Sequence, residues 1–219
     1  MAAIALPAAS RTRGTAMAEA PAFRIRRAEP GDSDALYDIC LKTADSGRDA
    51  TALYSDPRLP GYIWAAPYGA FEPDFAFMLD DGGEAVGYVV ATPDTTNFAR
   101  RLEAEWWPNL RRAFAGVVPS KPSDAAAIER ILAPEDHEGW LLADYPAHLH
   151  INLLPQAQSG GWGRRMIETE LEALRQAGVR GVHLGVSPAN ERAKGFYRHV
   201  GFTDLSRDDH VLYGMKLRD

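Results

Sequence analysis

Three groups of residues in this sequence have types and spacings suited to chemistry. The first is the glycine loop Gln158, Ser159, Gly160, Gly161, Trp162, Gly163, Arg164, which follows a strand carrying Leu149, Ile151 and Leu153 and opens a helix. A loop without side chains lets consecutive N–H groups point inward, and the positive end of the next helix faces the same spot, so a pyrophosphate belongs there. The second group is His148 and His150, which share one strand face with Asn152 and carry rings that titrate near neutral pH. The third lies in Pro188-Ala189-Asn190-Glu191, where Asn190 is placed to cap a helix bearing Phe196 and Tyr197.

The loop departs from two familiar phosphate binders. No Lys-Ser or Lys-Thr pair follows its glycines, which leaves nothing for a γ-phosphate or its magnesium and argues against a nucleotide hydrolase. The dinucleotide fingerprint needs G-x-G-x-x-G after an early strand and an acidic ribose partner about 20 residues on, and neither is present.

Gln158-x-x-Gly161-x-Gly163 resembles the acetyl-CoA-binding motif Q/R-x-x-G-x-G/A of the GNAT superfamily of N-acetyltransferases. The downstream run GVHLGVSPANERAKGFYRHVGF, with Asn190, Ala193, Phe196, Tyr197 and Gly201-Phe202, is similar to the second conserved stretch of that superfamily, in the same order. The segments PYGAFEPDFAFMLDDGGEAVGYVVATPDT, EWWPNL and YPAHLHINLLP look like one branch of it. That branch comprises bacterial acetyltransferases related to the acetyltransferase-like C-terminal domain of eukaryotic O-GlcNAcases, and the likeness runs from Phe23 to the C-terminus.

The resemblance implies an α/β GNAT fold: a mixed sheet of about seven strands, flanked by helices, whose central pair splays apart. It implies acetyl-CoA as co-substrate and a small-molecule or peptide amine as acceptor, acetylated by direct attack on the thioester. It places Ile151, Asn152, Leu153, Gln158, Ser159, Gly160, Gly161, Trp162, Gly163, Arg164, Asn190 and Tyr197 on the cofactor. The backbone N–H groups of Ile151 and Leu153 would take the pantetheine arm, and Tyr197 would return a proton to the departing thiolate. The eukaryotic domain of the same branch is regarded as a pseudo-acetyltransferase, so a binding or acyl-CoA-sensing module is the alternative function.

The base that strips the amine is expected among His150, Asp94 and Asp144, and the other reading of His150 is a half-buried histidine on a polar sheet face. His148-x-His150, with His183 on the next strand, has a spacing that two imidazole metal ligands would share. No Cys or Glu partner lies in that segment, so no metal is expected. Tyr37, Tyr54, Tyr62, Trp64, Tyr68 and Trp106-Trp107 crowd the first half of the chain, where the superfamily builds its acceptor pocket.

Composition agrees with this reading. The formal net charge of −6 argues against nucleic acid as a main partner, because such binders need a basic surface. Cys40 is the single cysteine and falls in an apolar helical pattern, which suggests a packed core thiol and a reducing, cytoplasmic setting. The apolar run AAIALPAA is short and interrupted by Pro7, so no membrane span is expected, and residues 1–22 read as a flexible tail before one domain over 23–219.

Alternation predicts strands over 23–28, 75–79, 86–92 and 182–186, the middle two forming a hairpin through Asp80-Asp81-Gly82-Gly83. Helical spacing predicts helices over 34–44, 97–115 with a break at Pro108, 124–133 and 162–177, followed by a helix and two final strands. Edge strands near the C-terminus make a homodimer conceivable.

Overall fold

The computed structural model describes residues 23–134, 139–207 and 210–218. The tail expected over residues 1–22 lies outside them. In chain order the elements are β1 (Arg24–Arg27), α1 (Ser33–Leu41), α2 (Leu59–Trp64), α3 (Ala66–Phe71), β2 (Ala76–Asp80), β3 (Ala85–Thr92), α4 (Thr95–Glu105), α5 (Trp107–Phe114) and α6 (Pro122–Leu132). They continue with α7 (Gly139–Asp144), β4 (Ala147–Leu153), α8 (Trp162–Gln176), β5 (Gly181–Gly185), α9 (Glu191–His199), β6 (Thr203–Asp204) and β7 (Leu212–Lys216).

The strands form one mixed sheet in the order β1-β2-β3-β4-β5-β7-β6, in which only the β4–β5 pair is parallel. Alternate residues of each strand feed two cores. On one face Val89, Ala91 and Leu149 pack beneath α8 through Met166, Ile167 and Leu174. On the other, Met78, Tyr88 and Val90 meet Leu36, Ile39, Leu59, Phe98 and Ile131 from the helices of the first half. Burying a side chain such as Ile167 or Leu174, each 0% exposed, contributes about 1.5–3 kcal/mol.

Helix α1 stops at Leu41, short of the residue 44 that its periodicity suggests. The Thr43 hydroxyl donates to the Ile39 carbonyl at 2.7 Å, and the chain then turns through Ser46, at φ +53°, and Gly47. The break predicted near Pro108 falls at Trp106, with Pro108 as the second residue of α5, where its missing N–H costs nothing. Helices α2, α3 and α7 are six residues each, too short for periodicity to reveal. No helix among the described residues is long and apolar enough to cross a membrane.

Candidate active site

β4 pairs with β3 from His148 to Leu153 but with β5 only at Ala147 and His148, so the two central strands part beyond His148. The Leu154 N–H donates to Val86 of β3 at 2.8 Å. Backbone groups alternate sides along a strand, which turns the N–H groups of Leu149, Ile151 and Leu153 into the gap and that of Asn152 toward β3. The Leu153 carbonyl confirms the parity, because it accepts from the Gln158 side chain on the gap side. A cleft of about 790 Å³ runs along the gap. His150, Tyr197, Asn190, Ile151, Asn152 and Leu153 line it together with the glycine loop, Gly160 excepted.

Gly160 and Gly161 hold φ of +70° and +79°, the successive left-handed pair that turns N–H groups to one side, and Gly161 caps α8. A Cβ on Gly161 would meet nothing within 4 Å, so the loop encloses open space at that point. Gly163 serves packing instead: a Cβ there would lie 3.2 Å from the Phe196 ring of α9. Gln158 ties the loop down. Its Nε2 donates to Leu153 O at 2.8 Å and to Gly47 O at 3.1 Å, and its Oε1 accepts from Arg192 at 2.7 Å. The side-chain amide is therefore committed to the protein, leaving the loop backbone to face a ligand.

Asn190 caps α9 as expected, its Oδ1 accepting from Ala193 N at 3.0 Å. One turn further, Tyr197 packs against Phe196, Phe202 and Tyr213 while touching the cleft. Burial pushes its phenol well above the ordinary value, so it keeps its proton at neutral pH.

His148 and His150 point to the opposite face from Leu149 and Ile151. His150 is half-buried at the cleft, whereas His148 is 8% exposed beneath it. The Tyr68 hydroxyl, from α3, stands between them, 2.6 Å from His148 Nε2 and 3.1 Å from His150 Nε2. His148 Nδ1 lies 2.7 Å from the Thr95 hydroxyl. Asn152, on the same face, donates to the Tyr88 hydroxyl at 2.8 Å.

The two alternative carboxylates stand elsewhere. Asp94 caps α4 through Asn97 N, and Asp144 pairs with Lys216. Cys40 is the core residue expected, its thiol pushed up to about 12 by burial. His183 does approach, its ring centroid 5.6 Å from that of His148, but its Nδ1 donates to Tyr145 O. Tyr68 figured in the sequence only as one of several aromatics, and Thr95 carried no signal. Hydroxyls reached from 80 and 53 residues away in the chain leave no local pattern.

A mixed sheet parted at its centre, with a glycine-capped helix at the mouth of the gap, defines an acyl-CoA-dependent transferase scaffold. The chain belongs to the acetyltransferase (GNAT) family, whose model matches residues 47–202, and that family uses acetyl-CoA. It is 41% identical over 181 residues to the mycothiol acetyltransferase of Beutenbergia cavernae, across 80% of this chain and 56% of that protein. It is 23% identical over 205 residues to the protein O-GlcNAcase of Rattus norvegicus, across 89% of this chain and 22% of that protein. The chain thus spans well under two thirds of the curated relatives it matches. Among solved structures it resembles the crystal structure of SsHAT, with 39% identity and a TM-score of 0.79 over 91% of this chain and all of that one.

Proposed function

We propose that this protein transfers acetyl from acetyl-CoA to the amine of a small molecule or peptide by direct attack on the thioester. The observation that carries the reading is the parting of β4 from β5 after His148, which leaves the Ile151 and Leu153 amides facing a cleft that ends at the glycine loop. An extended pantetheine arm fits such a gap as an added strand would, and the loop backbone from Ser159 to Arg164 suits its diphosphate.

Each group then has a task. The Ile151 N–H polarises the thioester carbonyl as it becomes an oxyanion. His150 takes a proton from the amine as the C–N bond forms. Tyr197, kept protonated by burial, gives its proton to the sulfur as the C–S bond breaks. Asn190 holds the start of α9, and so the position of Tyr197. The test is calorimetry with acetyl-CoA followed by a free-thiol release screen over amines. Binding with no turnover of any amine would leave a binding module, and no binding would refute the placement altogether.

A further inference from the structure

We infer that Thr95, His148 and Tyr68 form a directional hydrogen-bond relay that fixes the tautomer of His150. The inference deepens the assignment of His150 as base and rests on that reading for its catalytic meaning, although the relay itself is a property of the resting protein.

The direction follows from what each group can donate. Pro146 O only accepts. It takes the Thr95 N–H at 2.8 Å and the Thr95 hydroxyl at 2.7 Å, which uses the one proton that hydroxyl has. The Thr95 oxygen can therefore only accept from His148 Nδ1, 2.7 Å away. Neutral His148 then carries its proton on Nδ1 and a lone pair on Nε2, so the Tyr68 hydroxyl donates to it at 2.6 Å. Having spent its proton, the Tyr68 oxygen accepts from His150 Nε2 at 3.1 Å. His150 is left with its proton on Nε2 and its basic lone pair on Nδ1. One carbonyl at the base of β4 thus sets the tautomer of a ring at the cleft.

Shifting every proton one bond along would require the imidazolium at His148, which is 8% exposed, so burial favours the first arrangement. Tyr68 is 3% exposed and His148 8%, so the route is closed to solvent along its length.

The groups around the pair come from every adjoining element. His183 of β5 and Phe98 of α4 flank the His148 ring. Arg130 of α6 acts on Tyr68, and Glu72, after α3, accepts from Thr92, the residue paired with His148 across β3. Tyr68 and His148 are therefore positioning residues, acting on the amine only through His150.

Nitrogen-15 NMR of the histidine-labelled protein reads the relay without any acceptor. At neutral pH His148 is expected as the Nδ1–H tautomer and His150 as Nε2–H. In Tyr68→Phe that link is cut, so His150 should populate both tautomers. An Nδ1–H His150 at neutral pH, or an unchanged Nε2–H His150 in Tyr68→Phe, overturns the relay. The predicted tautomers in a protein that acetylates no amine would uphold the relay and refute the proposed reaction instead.

Discussion

Gln158 Nε2 lies 2.8 Å from the carbonyl oxygen of Leu153, and this bond joins the glycine loop to the last residue of β4. The same amide reaches Gly47 of the α1–α2 connection and Arg192 of α9, so one side chain fastens three segments around the cleft mouth. Gln158→Ala removes these bonds and leaves two carbonyls and a guanidinium to find other partners. The expected result is a loss of about 1–2 kcal/mol in stability and a roughly tenfold weaker acetyl-CoA affinity, measured by thermal unfolding and calorimetry.

Gly161 and Gly163 should fail differently. Gly161 sits at φ +79° over open space, so Gly161→Leu costs about 1–2 kcal/mol of backbone strain and fills the site proposed for the diphosphate. Acetyl-CoA binding should vanish while the fold persists. Gly163→Val drives a side chain into the Phe196 ring, so melting temperature should fall as well as affinity. Equal affinity for Gly161→Leu and the native protein would show that the loop holds no phosphate.

Tyr197→Phe keeps the ring against Phe202 and Tyr213 and removes only the hydroxyl. Turnover should drop by about 10²-fold with little change in acetyl-CoA affinity, the pattern of a lost proton donor. Because burial raises the phenol above its ordinary value of 10.0, the acid form persists on the alkaline side. Native turnover should therefore show no loss from this group until pH exceeds that value, and a rate that falls between pH 7 and 9 on account of Tyr197 would contradict the assignment.

Glu170 of α8 is 0% exposed, both its carboxylate oxygens lack hydrogen-bond partners among the described residues, and burial raises its pKa well above the ordinary 4.5. The sign follows from the raised folded value: the folded protein holds a proton that the unfolded chain gives up above 4.5, so stability declines as pH rises from there through the folded value. Glu170→Met should stabilise by about 1–3 kcal/mol at neutral pH, with a smaller gain at pH 4. Unfolding curves across that range measure it, and a gain independent of pH would mean that the carboxyl is ionised in the fold.

The glycine loop, the central strand and the capped helix after β5 were legible because each is a local pattern. The run from Leu149 to Gly163 contains its own strand, turn and helix start, and Asn190 carries its own cap. The loop's glycines even divided correctly from the nucleotide-hydrolase pattern, since that decision needed only the residues following Gly163. Less was legible where short elements meet. Helices α2 and α3 each place a proline in the first turn and have no room for a second apolar stripe, so the sequence offered only scattered aromatics there. Tyr68 acquires meaning from His148, which the fold brings within 2.6 Å on the same face of the sheet. The Asp94 and Asp144 alternatives were equally open in the sequence; only packing sends them to a helix cap and to Lys216.

The two leaves of the sheet, β1 to β4 and β5 to β7, touch each other through a backbone ladder only at Ala147 and His148. That ladder includes the residue whose ring sits between Thr95 and Tyr68, so the parting of the central strands and the hydrogen-bond chain to His150 both begin at His148.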